Sequence, residues 1–147
     1  MFGYYNFYIL IMIVFDKNVA IKNPIDIAKI LQNILKTEDK IDQEKEHFYI
    51  IHLNNRNNIK MIELATLGTL NSSLIHPRET YRRAILEGSA KIMIAHNHPS
   101  GTVEPSEDDL TITQQLKKAG NIIDIELLDH IIFTEKNYLS FKQKNLL

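Results

Sequence analysis

The spacing of apolar positions changes period several times along the chain, and each change marks a different element. Between residues 23 and 35 the apolar residues Ile27, Ile30, Leu31, Ile34 and Leu35 recur every three or four positions, so they share one face of a helix. Asn23 can cap that helix, and Pro24 stands at its first position, where the missing N–H costs nothing. The polar run Lys36 to Lys45 reads as a solvated linker. Phe48 to Leu53 and Lys60 to Thr66 are short apolar-rich runs separated by Asn54, Asn55, Arg56, Asn57 and Asn58, a turn composition that predicts a β-hairpin.

Leu67 to Ile75 contains Gly68, Asn71, Ser72 and Ser73 and reads as a loop. Pro77 then opens a helix to about Glu87, with Tyr81, Ala84 and Ile85 on its buried face and Gly88 as its stop. Ala90 to Ala95 is a continuous apolar strand apart from Lys91, and His96 to Pro105 is irregular. A further helix starts at Ser106 and ends near Ala119, with Gly120 as its C-terminal cap. Three strand-like runs follow, Ile122 to Leu127, His130 to Thr134 and Tyr138 to Phe141. Together these elements predict an α/β fold, a mixed β-sheet flanked by helices around one core. Residues 1–22 form an N-terminal strand segment, 23–45 a helix with its charged linker, and 46–147 the main domain.

The uncharged stretch Phe2 to Phe15 falls short of the roughly 20 apolar residues a membrane-spanning helix needs. It also lacks a basic leader and a small-residue cleavage site, so Ile9 to Phe15 is read as a buried or edge strand, and Met12 is an alternative start. A net charge of −1 gives no global field to attract a polyanion, leaving only a local group at Arg78, Arg82, Arg83 and Lys91. The chain has no cysteine, which excludes disulfides, a thiolate metal site and a cysteine nucleophile. Any metal must therefore use histidine and carboxylate ligands. The expected compartment is the cytoplasm, with no membrane partner.

The chemically informative stretch is His96-Asn97-His98-Pro99-Ser100-Gly101, followed by Pro105-Ser106-Glu107-Asp108-Asp109 at a helix start. If the strand geometry continues through His98, the two imidazoles share a face with α-carbons about 6.6 Å apart. Asp109, in the first turn of the next helix, can return over the strand end to complete a two-His, one-carboxylate set. Three protein ligands leave a fourth position for water, and zinc lowers that water's pKa enough to supply hydroxide near neutral pH. Non-haem iron oxygenases share this ligand set. Ser106-x-x-Asp109 before an apolar run also fits a plain capping box. The water needs a proton acceptor, and Glu46, where the linker meets a strand, is the first candidate, ahead of Glu44 and Glu63. Spacing alone also fits Glu46 as solvated linker charge. His47, His52, His76 and His130 are not read as metal ligands.

The block His96-Asn97-His98-Pro99-Ser100-Gly101 with Pro105-Ser106-Glu107-Asp108-Asp109 resembles the signature of the RadC family, within the JAB/MPN metallopeptidases that carry the JAMM motif. Glu46-His47-Phe48, Leu67-Gly68-Thr69-Leu70-Asn71, His76-Pro77-Arg78-Glu79 and Leu128-Asp129-His130 fit the same family, so the likeness runs from about Glu46 to Phe141. It implies a cytidine deaminase-like fold, zinc on His96, His98 and Asp109, Glu46 as acid/base, and Ser106 as a donor to a tetrahedral oxyanion. Eukaryotic JAB/MPN deubiquitinases usually carry Ser or Thr between the histidines and a longer spacer before the serine. Asn97 and the shorter spacer here mean that a ubiquitin-like substrate does not follow from the resemblance. The chain reads as a short form without the N-terminal helix-hairpin-helix region of full-length RadC proteins, and a DNA-repair role does not follow from the family name. The expected function is a zinc-dependent hydrolase, a metallopeptidase or isopeptidase acting on an unknown protein or peptide. The alternative is a nucleic-acid-associated or interaction module without peptidase turnover.

Overall fold

The computed structural model describes residues 12–13, 19–68 and 70–147. Its elements run β1 (Met12–Ile13), α1 (Pro24–Thr37), α2 (Lys40–Gln43), β2 (His47–Leu53), β3 (Ile59–Leu67), α3 (Pro77–Leu86), β4 (Lys91–Asn97), α4 (Glu107–Ile123), β5 (Glu126–Phe133) and β6 (Tyr138–Ser140). The strands form one mixed sheet in the order β1-β3-β2-β4-β5-β6, in which only the β4–β5 pair is parallel. That parallel pair is joined through α4, the crossover such a connection requires. Of the strand expected over Ile9 to Phe15, β1 falls among the described residues and the rest lies outside them. Among the described residues no helix is long and apolar enough to cross a membrane.

Both faces of the sheet are covered, which explains why β2 and β4 read as near-continuous apolar runs. On one face Tyr49, Ile51, Met93, Ala95, Ile131 and Phe133 pack against Ile27, Ala28 and Leu31 of α1. On the other, Phe48, Ile50, Ile92 and Ile94 pack against Tyr81 and Ala84 of α3 and Ile112 and Leu116 of α4. Each fully buried side chain of this size contributes about 1.5–3 kcal/mol of transfer free energy. Even-numbered residues of β4 therefore look toward α4, and that parity decides where the chemistry lies.

Several boundaries differ from the sequence reading. The linker contains the short helix α2, whose cap residue Asp39 accepts from Asp42 N–H at 2.8 Å. Strand β4 does not stop at Ala95 but continues through Asn97, paired to β2 as far as His96 and to β5 as far as Asn97. Helix α4 runs past Gly120 to Ile123 and ends on Asp124 in the left-handed region. Gly120 is inside the helix because a side chain there would strike the Tyr81 hydroxyl and the Ile125 carbonyl oxygen. Tyr81 in turn donates to Leu116 O at 2.8 Å, locking α3 to α4. The last three strand-like runs resolve into two strands, since Glu126–Phe133 is continuous, and Ile85 is exposed rather than buried.

Candidate metal centre

Because β4 stays extended, His96 and His98 project on the α4 face two residues apart. His98 N–H donates to Phe133 O at 2.9 Å, which carries the ladder with β5 one residue beyond the strand and fixes the second histidine. Ser106 caps α4, so Asp109 occupies the third helical position and turns its carboxylate back toward β4. Its Oδ1 lies 3.1 Å from His96 Nε2, its Oδ2 3.3 Å from His98 Nε2, and the two Nε2 atoms are 2.9 Å apart. His96 and Asp109 are buried and His98 is partly exposed, and this trio can hold a metal ion.

The donor chemistry fits a cation. His98 Nδ1 is 2.9 Å from Thr102 O, and a carbonyl only accepts, so that nitrogen carries the ring proton and leaves the Nε2 lone pair facing the cluster. A lone pair and a carboxylate meeting in a largely dry pocket repel unless a positive charge sits among them. Burial alone would raise the Asp109 pKa, yet the imidazoles of His96 and His98 against its two oxygens outweigh burial wherever a positive charge resides on the cluster, and hold the carboxyl well below the usual range. The same carboxylate raises the pKa of His98. Two imidazoles and one carboxylate form the set that catalytic zinc and non-haem iron both use.

Glu46 lies immediately before β2 and is half-buried. Its Oε2 accepts from Leu70 N–H at 2.6 Å, and its backbone oxygen accepts from Gly68 N–H at 2.9 Å. Asn97, between the two histidines, grips the backbone on both sides of it: Nδ2 donates to Lys45 O at 3.0 Å and Oδ1 accepts from His47 N–H at 2.6 Å. Glu46, His98, Ser106 and Asp109 consequently line one cleft of about 680 Å³. Ser106 Oγ accepts from Asp109 N–H at 3.1 Å while Ser106 N–H donates to Asp109 Oδ2 at 2.8 Å. The capping box and the carboxylate's return to the histidines are thus the same structure, not competing explanations.

Of the alternative bases, Glu44 lines the same cleft, whereas Glu63 is buried in β3 against His52 Nε2 at 3.1 Å and is separate from it. His47 is buried with Nδ1 2.9 Å from Lys45 O, and His76 is exposed at the N-cap of α3. His130 is different: it is fully buried, with Nε2 2.9 Å from His96 Nδ1 and Nδ1 2.6 Å from Thr113 Oγ1. Burial holds its pKa well below the ordinary histidine value. Sequence reasoning passed over His130, Thr113 and Asn97 as contributors to the site. A histidine within an otherwise apolar strand was the one available signal.

The chain matches the RadC-like JAB domain family over residues 21–146, so the match includes α1 as well as the metal-centre region. A UPF0758 protein of Pelodictyon phaeoclathratiforme is 50% identical over 106 residues, covering 72% of this chain and 48% of the relative. A UPF0758 protein of Staphylococcus epidermidis is 45% identical over 126 residues, covering 86% of this chain and 53% of the relative. The chain thus spans about half the length of the curated relatives it matches. With the matched family running across both helical faces of the sheet and through every residue of the His-His-Asp trio, the chain belongs to the RadC-like JAB domain family.

Proposed function

We propose that this domain is a zinc-dependent hydrolase that cleaves a peptide or isopeptide bond in a protein or peptide substrate. The observation that carries the reading is that the His96, His98 and Asp109 trio and the Glu46 carboxylate open onto one cleft. His96, His98 and Asp109 would hold a divalent zinc, which would supply Lewis acidity toward a carbonyl and toward water. Glu46 takes a proton from the attacking water and returns it to the leaving amine as the C–N bond breaks, so its own charge is restored at the end of the cycle. Its hydrogen bond from Leu70 N–H fixes one carboxylate oxygen and leaves Oε1 for that proton. The Ser106 oxygen already accepts from Asp109 N–H, so its hydroxyl hydrogen is directed elsewhere and can donate to a developing oxyanion.

The cleft rim favours a peptide over a polyanion, since among the described residues Glu44, Glu104 and Asp108 line it with Lys45 as the one lysine or arginine. The arginines of α3 do not offset this: Arg78 and Arg82 each lie 3.9 Å from Glu79, and Arg83 lies 3.3 Å from Glu87. The test is a peptide and isopeptide cleavage profile of the zinc-loaded protein with Glu46→Gln alongside. The variant should keep about one zinc per chain and lose at least ~10²-fold in turnover, the lower end of what a general acid/base contributes. Equal turnover by the two proteins would remove Glu46 from the proton route.

A further inference from the structure

We propose that Thr113 and His130 are positioning residues that set the tautomer of His96, so that its Nε2 presents a lone pair to the metal centre. The inference rests on the metal reading above only for the use of that lone pair. The relay itself follows from hydrogen-bond accounting within the chain.

The relay starts at a group whose role is fixed. Thr113 Oγ1 is 2.7 Å from Asp109 O, and because a carbonyl only accepts, the single hydroxyl hydrogen of Thr113 is committed to it. Thr113 Oγ1 must then accept from His130 Nδ1, 2.6 Å away, which places the ring proton of His130 on Nδ1. A neutral imidazole with Nδ1–H has its lone pair on Nε2. That atom lies 2.9 Å from His96 Nδ1, so His96 donates there and carries its own proton on Nδ1. The lone pair of His96 is left on Nε2, the atom facing His98 and Asp109. All four residues of the relay are buried, so no water competes for these positions.

Most metal-bound histidines donate their second N–H to a carboxylate, a backbone carbonyl or water. Here the acceptor is another imidazole, which can itself reverse. Without the Thr113 hydroxyl both rings can switch together: His130 would donate through Nε2 to His96 Nδ1, and His96 would donate through Nε2 to Asp109 Oδ1. The switched state gives Asp109 a donor in the metal-free cluster and blocks the ligand atom.

Thr113→Val and Thr113→Ser separate this role from packing, the first removing the hydroxyl at nearly constant shape and the second retaining it. Two readouts are needed, ring-nitrogen NMR of His96 in the metal-stripped protein and zinc affinity by titration. The wild type and Thr113→Ser should show His96 protonated on Nδ1, and Thr113→Val should shift it toward Nε2–H and lower zinc affinity by about 10- to 100-fold. His96 protonated on Nε2 in the wild type, or unchanged tautomer and affinity in a folded Thr113→Val, would overturn the relay. A wild-type chain that binds no zinc while showing His96 Nδ1–H would instead overturn the metal reading and leave the relay standing, because the tautomer is measured without metal.

Discussion

Two buried histidine clusters lie at opposite ends of the same sheet, and their hydrogen-bond accounts differ. At one end His52 of β2 has Nδ1 3.1 Å from Ser89 Oγ and Nε2 3.1 Å from Glu63 Oε2. Each ring nitrogen has one partner of the right kind, a hydroxyl that can donate and a carboxylate that accepts. The account closes within the chain. At the other end His96, His98 and Asp109 bring acceptors together with no donor assigned among them, and the cluster borders a cleft. Burial alone therefore does not distinguish a structural histidine from a ligand. What distinguishes them is whether the protein supplies every proton its lone pairs require.

The largest stability change expected from this contrast is at the closed cluster. His52→Leu leaves the nearly buried Glu63 carboxylate without its hydrogen-bond donor, and stripping a buried charged acceptor of its partner costs about 3 kcal/mol or more. Chemical denaturation should register that loss while zinc affinity stays at the wild-type value. A comparable fall in zinc affinity would show that the two clusters are not independent. Glu63→Gln, in keeping a polar partner for His52, should be milder, which also makes it a poor neutral control for Glu46→Gln.

At the open cluster the expected change runs in the other direction and depends on metal. Free zinc at about 100 times its dissociation constant should stabilise the wild-type fold by roughly 2.7 kcal/mol. The His96→Ala, His98→Ala double variant should show none of this gain in thermal melts read with and without zinc. Stabilisation of equal size in both proteins would place the metal elsewhere.

The contrast also shows what a linear sequence can carry. The trio was legible because its spacing is local: two histidines at strand alternation, and a carboxylate in the first turn of the next helix. Helix α1 was legible because its apolar face repeats with the helical period: Ile27 and Leu31 are buried, and Ile30, Ile34 and Leu35 are partly buried against the same core. Gly120 misled because a glycine after an amphipathic run usually marks a helix end, whereas here the crowding of Tyr81 and Ile125 demands it. That requirement comes from residues on α3 and before β5, far away in sequence. The relay through Thr113 and His130 was hidden for the same reason, since it joins β4, α4 and β5 through the parallel register that pairs Ile94 with His130. Asn97 read only as a departure from a related motif, because its partners at Lys45 and His47 become visible once β2 pairs with β4.

The smallest expected stability change falls at Ser106, and it separates the capping role of this hydroxyl from the donor role proposed for it. As the cap of α4 its oxygen accepts from Asp109 N–H, an interaction worth about 1 kcal/mol when the residue is replaced by Ala. In the proposed donor role its hydrogen would act mainly in the transition state, where loss of one such group costs about 10²–10³-fold in turnover. Ser106→Ala removes both functions, Ser106→Asp keeps a capping oxygen without the donor, and Ser106→Thr keeps both. Melting temperatures should therefore group Asp and Thr with the wild type and set Ala slightly apart. Turnover should group Asp with Ala and Thr with the wild type. If turnover follows the melting order instead, Ser106 serves only to hold Asp109 at the start of α4, and the oxyanion requires another donor.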